Sequence, residues 1–283
     1  MKIIKMLKII VILLIIFLII FIIIGLYCGL TIRNYSIESE KIVSNVKIAL
    51  VTDFHSCYYG KNMHTLVDKI KKQNPDIILL GGDIFDDKLS DSNTDIFLSN
   101  IYKKYPIYYV TGNHECRNTL KNFKEKMAIL DKYNVIRLKG DVKELRINNS
   151  IISLCGIDDP SISNINEIDN NYKVQLQRVG RKADKNTFKI LLTHRPELIE
   201  KYVQNEFDLV LCGHAHGGQW RIPGILNGLY APNQGLFPKY AGGYYKINNT
   251  IMVVSRGLSK KRKYIPRFYN PPELVIVELK NKK

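Results

Sequence analysis

The sequence predicts an α/β fold with a largely parallel sheet, preceded by one N-terminal transmembrane helix. An uncharged apolar run opens the chain, and short apolar stretches then alternate with amphipathic stretches along most of the remainder. Five of the 6 histidines follow predicted strands closely. In open α/β sheets ligands bind at the carboxyl ends of the strands, so this placement indicates a site there.

The composition is that of a folded basic protein. Among 283 residues, 42 Lys and Arg face 26 Asp and Glu, which gives a formal net charge of +16. A hydrophobic share of 46%, with 18 Gly and 10 Pro, excludes a disordered chain and a collagen-like repeat. The 5 cysteines are too few, and odd in number, for a disulfide-stapled scaffold. Nucleic acid is not predicted as a partner, because basic and aromatic residues do not interleave and no binding motif occurs.

The N-terminal segment has the length and composition of a membrane anchor. No charge occurs from Ile9 to Ile32, so a helix of about 36 Å can cross a hydrocarbon core of about 30 Å. Lys2, Lys5 and Lys8 precede the run and predict a cytoplasmic N-terminus, with the remaining chain extracytoplasmic at the cell membrane. A cleaved signal peptide is the alternative, but its apolar region is usually shorter and ends at a small-x-small site.

Three divisions follow from this pattern: a cytoplasmic tip and anchor at 1–32, a polar tether at 33–45, and one domain at 46–283. Predicted strands occupy residues 46–52, 76–81, 106–111, 144–147, 151–155, 188–193, 209–212, 250–255 and 274–279. Predicted helices occupy residues 63–73, 94–104 and 120–132. The polar stretch 161–187 is expected to be a surface insertion with one helix.

Side chains able to bind metal collect at the predicted strand ends. The histidines there are His55, His114, His194, His214 and His216. Asp53, Asp83 and Asn113 follow three successive strands, each 30 residues after the last, so they should lie on neighbouring strands. Imidazole, carboxylate and amide donors suit divalent ions such as Mn, Fe, Zn, Co or Ni. The remaining histidine, His64, opens a helix among polar neighbours and is expected at the surface.

The ordered motifs resemble those of the calcineurin-like metallophosphoesterase superfamily. They are Asp-x-His at 53–55, Gly-Asp-x-x-Asp at 82–86, Gly-Asn-His-Glu at 112–115, a histidine at 194, and Gly-His-x-His at 213–216. The stretch Tyr-Ala-Pro-Asn-Gln-Gly-Leu-Phe-Pro at 230–238 is similar to the bacterial membrane-associated phosphodiesterase subgroup. The resemblance covers roughly residues 46–280.

The resemblance implies a four-layer αββα sandwich and two divalent metal ions. The ligands it implies for one ion are Asp53, His55, Asp83 and His216. Those for the other ion are Asp83, Asn113, His194 and His214, so that Asp83 bridges the pair. His114 would face the phosphoryl group as a catalytic residue, and Asp86 would orient it through a hydrogen bond. A hydroxide held between the ions would attack phosphorus in line.

The leading interpretation is a membrane-anchored, dinuclear phosphodiesterase, expected to be monomeric. Its substrate would be a small-molecule, lipid or wall-polymer phosphodiester, or a pyrophosphate. A phosphomonoesterase would use the same residues. A non-catalytic membrane-bound binding protein is disfavoured because the ligand set is intact. The sequence Asp86-Asp87-Lys88 replaces the Asp-Arg-Gly of protein phosphatases, which disfavours that activity.

The sequence allows two interpretations for each of two features outside the motifs. The basic cluster 260–263, with Arg267 nearby, is either a solvated loop or a surface that attracts anionic lipid head groups. Trp220 and the tyrosine-rich stretch 230–245 either pack in the core or its rim, or hold an apolar or sugar-bearing substrate.

Overall fold

The structure is a computed structural model that describes residues 2–117, 119–165, 171–260 and 266–282. Its α-helices are α1 (Lys2–Gly25), α2 (His64–Gln73), α3 (Ser92–Ile101), α4 (Leu120–Lys132), α5 (Tyr172–Lys182) and α6 (Ile199–Tyr202). Its first seven strands are β1 (Thr31–Ser39), β2 (Val46–Val51), β3 (Ile77–Gly81), β4 (Ile107–Val110), β5 (Ile136–Arg137), β6 (Asp141–Ile147) and β7 (Ser150–Gly156). The remaining strands are β8 (Phe188–Leu192), β9 (Leu209–Cys212), β10 (Tyr230–Ala231), β11 (Gly235–Leu236), β12 (Gly243–Ile247), β13 (Thr250–Val254) and β14 (Glu273–Asn281).

Two six-stranded sheets and two outer helical layers form the domain. The first sheet has the order β1-β14-β2-β3-β4-β5 and the second the order β12-β13-β9-β8-β7-β6. Alternate residues of β2 show why both faces are covered: Leu50 belongs to the core between the sheets, whereas Val51 belongs to the core under α2, α3 and α4. A third core packs α5 and α6 on the second sheet. The four-layer αββα prediction is confirmed.

Parallel pairing brings the predicted site to one edge of the domain. Strands β2, β3, β4 and β5 run parallel in the first sheet, and β7, β8, β9 and β13 run parallel in the second. Except for the short strand β5, these strands are largely buried on both faces, which explains their nearly continuous apolar sequences. The carboxyl ends of the two sheets meet, because His194 after β8 lies 2.9 Å from the Gly81 carbonyl oxygen at the end of β3.

The tether predicted at 33–45 is wrong for residues 33–39, because residues 31–39 form strand β1. This strand pairs in parallel with β14 from Thr31 opposite Glu273 to Ser39 opposite Asn281. Ile37 is 2% exposed and enters the core between the sheets, while Arg33 lies at the exposed edge. An edge strand with one solvated face has the polar composition of a linker, because few of its side chains need to be buried.

Helix α1 extends from the domain with its side chains exposed. The segment Ile3–Gly25 is long and apolar enough to be a membrane span or a signal sequence. Its last turns contact the domain through Tyr269, whose hydroxyl donates to the Phe21 carbonyl at 3.0 Å and whose backbone N–H donates to the Gly25 carbonyl at 2.6 Å. The end of the apolar helix is therefore held against one face of the α/β domain.

Candidate metal centre

The side chains predicted to bind metal converge in two groups that share Asp83. The ligand atoms of the first group lie within 4.8 Å of one another and belong to Asp53, His55, Asp83 and His216. The second group meets the same distance limit and consists of Asp83, His194 and His214. Asn113, the remaining predicted ligand, lines the same cavity. This arrangement provides two adjacent positions for a cation with one carboxylate between them.

The donor atoms fit a divalent cation. Asp83 Oδ2 lies 3.6 Å from His55 Nε2 and 3.3 Å from His194 Nε2. Within the described part of the chain, Asp83 Oδ2 and Asn113 Oδ1 are buried and accept no hydrogen bond. A buried polar atom without a partner costs about 1–3 kcal/mol. A cation between these oxygens and imidazoles would supply the missing partner, and mixed nitrogen and oxygen donors suit a divalent transition metal.

The electrostatics of the cluster also favour positive charge. Burial by itself would lower the pKa of His194, but the carboxylate charges of Asp83 and Asp53 outweigh burial and raise that pKa to about 10. Burial and the neighbouring charge of His194 lower the pKa of His214 to about 3. The carboxylates of Asp83 and Asp53 thus favour a positive charge beside them, which a bound cation would also supply.

Backbone conformation sets the ligand directions. Most of the predicted ligands have positive φ in the left-handed region: Asp53 (49°), His55 (48°), Asp83 (52°), His214 (66°) and His216 (48°). This conformation is disfavoured for residues with a Cβ atom, and its concentration at one site is typical of functional centres. At Gly213 a Cβ atom would collide with Asp53 Oδ2, so this position requires glycine beside the cluster.

In His194 and His214, a hydrogen bond from one ring nitrogen determines that the other nitrogen faces the site. His194 Nδ1 donates to the Gly81 carbonyl at 2.9 Å, so Nε2 is the nitrogen that faces Asp83. His214 Nε2 donates to Asn233 Oδ1 at 2.8 Å, which leaves Nδ1 directed at the cluster. No role for Asn233 was predicted from the sequence, although it lies in the stretch 230–238.

Replacing Asn233 should loosen the centre without removing a ligand. We expect Asn233→Ala to weaken metal affinity by about 10- to 100-fold, because His214 loses the acceptor that orients its ring. Metal titration of the chelator-treated protein measures the change. The matched control is Asn100→Ala on α3, whose amide donates only locally, to the Ile96 carbonyl. Equal affinities for the Asn233→Ala protein and the unmodified protein would refute the positioning role.

Glu115 is a second residue whose role was not predicted from the sequence. Its carboxylate accepts backbone N–H bonds from Asp83, Ile84, Phe85 and Gly112 at 2.7–3.1 Å. Burial and the Asp83 charge raise the pKa of Glu115 to about 7, whereas the N–H donors favour its charged form. Glu115 therefore ties the turn after β3 to the turn after β4, and the Gly-Asn-His-Glu motif was the available clue.

The expected contact between Asp86 and His114 is wrong. Asp86 Oδ2 lies 3.3 Å from His55 Nδ1, and His114 Nδ1 instead contacts Asp87 Oδ1 at 2.9 Å. The reason is local: Asp86 Oδ1 accepts the backbone N–H groups of Lys88 and Leu89, which fixes the carboxylate toward His55. Although burial opposes ionisation, the contacts with His55 and these N–H groups hold the pKa of Asp86 below its ordinary value.

The structure shows the surroundings of the basic cluster and of Trp220, the two features whose role the sequence left open. Arg267 is 5% exposed and donates to the Arg256 carbonyl at 2.8 Å, so it does not belong to a solvated basic surface. Lys260 lies 3.9 Å above the Tyr59 ring, and residues 261–263 of the basic cluster lie outside the described residues. Trp220 is 40% exposed and packs on Phe268 at the rim of the domain.

Sequence relatives of this chain are named as metallophosphoesterases. A metallophosphoesterase of Campylobacter jejuni is 30% identical over 262 residues, which cover 89% of this chain and 64% of that protein. The metallophosphoesterase YkuE of Bacillus subtilis is 27% identical over 243 residues, which cover 83% of this chain and 79% of that protein. The chain spans 64%, 62% and 66% of the Campylobacter protein and two Helicobacter pylori relatives.

Solved structures share the fold at low sequence identity. The protein TT1561 of Thermus thermophilus has a TM-score of 0.50 at 12% identity, with 77% of this chain and 92% of that chain covered. The NAD nucleotidase of Haemophilus influenzae has a TM-score of 0.50 at 13% identity, with 75% and 45% covered. The family model of the calcineurin-like phosphoesterases matches residues 46–218, the segment that contains every predicted ligand. The chain belongs to the calcineurin-like phosphoesterase family.

Proposed function

We propose that this protein is a membrane-anchored phosphodiesterase that acts with two divalent metal ions. The observation that carries the proposal is the pair of ligand groups joined at Asp83, with ligand atoms within 4.8 Å in each group. One ion would be held by Asp53, His55, Asp83 and His216, and the other by Asp83, Asn113, His194 and His214. Several ions suit these donors, among them Mn, Fe, Zn, Co and Ni.

The residues around the two ions would have separate roles in catalysis. When bound, divalent ions lower the pKa of water and neutralise charge on phosphoryl oxygens. His114 lines the cavity beside the ligands, and its Nδ1 donates to Asp87 Oδ1 at 2.9 Å, which leaves Nε2 to face a substrate. We assign to His114 the transfer of a proton to the leaving oxygen. Arg117 lines the same cavity and would bind a non-bridging phosphoryl oxygen.

The shape of the site favours a phosphodiester over a monoester. The cavity at the ligands holds about 300 Å³, and it shares Cys57 and Leu89 with a neighbouring cavity of about 480 Å³. The second cavity is lined by Tyr58 and Lys260 among others. A phosphate with two ester groups could place one in each cavity, whereas a monoester would leave one of them empty.

Turnover of two chromogenic substrates tests this preference. The chelator-treated protein should regain hydrolysis of bis-(4-nitrophenyl) phosphate when Mn²⁺ or another of these ions is added, and hydrolyse 4-nitrophenyl phosphate more slowly. Faster hydrolysis of 4-nitrophenyl phosphate than of the diester would instead indicate a phosphomonoesterase. Failure to hydrolyse either substrate with any of these ions would favour a binding protein.

Helix α1 would hold the catalytic domain at the cell membrane. Lys5 and Lys8 lie at the start of the apolar segment, which favours a cytoplasmic N-terminus and an extracytoplasmic domain. The anchor predicted at residues 1–32 overlaps β1 at residues 31 and 32, so the catalytic domain would comprise residues 46–283 together with the whole of β1. A small-molecule, lipid or wall-polymer phosphodiester is accessible from that side. Protease treatment of intact cells tests the orientation, since digestion of the domain is expected only if it lies outside.

Asp87 should act as a positioning residue for His114. We expect Asp87→Asn to reduce turnover about 10- to 100-fold, because a hydrogen bond to a charged group contributes about 1.5–3 kcal/mol. The loss should be larger for a diester with an alkyl leaving group than for one with a nitrophenyl group, which needs little protonation. Asp86→Asn is the matched control and should weaken metal affinity through His55 without this leaving-group dependence. Identical leaving-group behaviour in both variants would contradict the assignment.

A further inference from the structure

A cavity of about 660 Å³ lies apart from the ligands, on the side of the domain that meets α1. Its lining includes three guanidinium groups, those of Arg33, Arg221 and Arg256. Within the described part of the chain, no carboxylate lines it. Apolar side chains form another part of the wall, and one of them, Ile225, is 84% exposed. The cavity therefore combines a cationic wall with an apolar edge.

The positive charges in this cavity are only partly neutralised. Glu273, buried behind the wall, accepts from Arg256 Nε at 2.6 Å, and Arg33 Nε lies 3.9 Å from the same carboxylate oxygen. Arg221 donates to a neutral acceptor, Asn227 Oδ1. Burial and the charge of Arg256 lower the pKa of Arg221, so the two guanidinium groups repel each other. An anion in the cavity would relieve this repulsion.

Helix α1 places the cavity at the predicted membrane surface. Tyr269 lines the cavity and donates its hydroxyl to the Phe21 carbonyl within the apolar helix at 3.0 Å. Arg33, also in the lining, is the first charged residue after the apolar run. Trp220, next to Arg221 in sequence, is 40% exposed nearby. Exposed aromatic residues beside basic ones are typical of the lipid head-group level.

We propose that this cavity binds the phosphate head group of an anionic phospholipid in the membrane that α1 spans. Guanidinium groups match phosphate oxygens in pairs, and the apolar edge at Ile225 can contact the lipid next to the head group. The bound lipid would fix the orientation of the domain on the membrane. This inference rests on the proposed anchoring by α1 and is independent of the proposed hydrolytic activity.

The fluorescence of Trp220, the single tryptophan of the sequence, provides the test. The full chain is reconstituted in vesicles of phosphatidylcholine with increasing amounts of phosphatidylglycerol. We expect a saturable change in emission with phosphatidylglycerol and none with phosphatidylcholine alone. Arg33→Gln should weaken the response roughly fivefold and Arg33→Gln with Arg221→Gln roughly 30-fold, at about 1 kcal/mol for each basic residue. Thermal unfolding of each variant verifies that it is folded.

Two controls make the result specific. Arg146→Gln removes an exposed arginine that pairs with Glu144 at 2.9 Å on the β6–β7 hairpin, and it should leave the response unchanged. An equal loss in this variant would indicate general charge attraction and overturn the site. Inorganic phosphate that binds the detergent-solubilised chain as tightly as phosphatidylglycerol would also overturn it, because the cavity would then take free phosphate.

The variant Asp83→Asn separates this inference from the proposed function. A lipid response that persists in Asp83→Asn supports a second cavity, whereas its disappearance would place the lipid at the metal centre and overturn the proposal. A protein that responds to phosphatidylglycerol and hydrolyses no phosphoester would refute the proposed activity and leave this inference supported.

Discussion

Asp83→Asn is expected to abolish metal-dependent hydrolysis, with a loss of about 10³-fold or more. Asp83 belongs to both ligand groups, so one substitution removes an anionic donor from both cation positions. The amide keeps the size of the carboxylate and can still accept the His114 backbone N–H, which lies 2.8 Å from Asp83 Oδ1. The loss should therefore reflect missing charge. Metal content and turnover of the purified variant measure it.

The matched control for this prediction is Asp131→Asn. Asp131 is 56% exposed and pairs with Arg137 at 3.3 Å on the surface, where an ion pair contributes about 0–1 kcal/mol. Its metal content and turnover should equal those of the unmodified protein. If Asp83→Asn retained both metal ions and near-normal turnover, the two-metal assignment would be wrong.

His114→Ala is expected to lose rate while retaining metal. His114 lines the metal-site cavity but is not a predicted ligand, and its Nδ1 is occupied by Asp87. Loss of a general acid typically reduces turnover about 10²–10⁴-fold. The reduction should be smaller for a nitrophenyl leaving group, because that group departs without protonation. Metal analysis together with turnover of two diesters distinguishes this result from general damage to the site.

His64→Ala is the control for that substitution. His64 is exposed at the start of α2 and contacts the carbonyl of Lys61 locally at 2.9 Å. It should behave as the unmodified protein in metal content and turnover. A His114→Ala protein that had lost its metal would instead show that His114 supports the ligands, and its catalytic assignment would fail.

The bounds of several helices and strands, and the residues that converge at the candidate site, were predictable from the sequence. Helix α4 begins and ends at the predicted residues Leu120 and Lys132, and β9 coincides with the prediction at 209–212. These elements have strong local patterns, either a helical apolar stripe or a short continuous apolar run. The convergence of the predicted ligand residues was also predictable, because each follows a strand closely and parallel strands bring their carboxyl ends to one edge.

Other features depend on contacts between distant parts of the chain. Strand β1 is stabilised by β14, about 240 positions later, and its own polar sequence resembles a linker. Asn233 meets His214 only because the chain after β10 folds back over the site. The contacts of Asp86 with His55 and of Asp87 with His114 were not predictable either. The two carboxylates are neighbours in sequence, and the local turn alone sets the direction of each.

The sequence by itself determined the fold class, the apolar helix and the identity of the residues at the centre, because these follow from periodicity and from the ends of strands. Only the tertiary structure decided which carboxylate supports which histidine, which imidazole nitrogen faces the cluster, and that Arg33, Arg221 and Arg256 line one cavity. Those relations depend on side-chain direction and on long-range packing. A one-dimensional pattern carries residue types and spacing, but not the directions in which side chains meet.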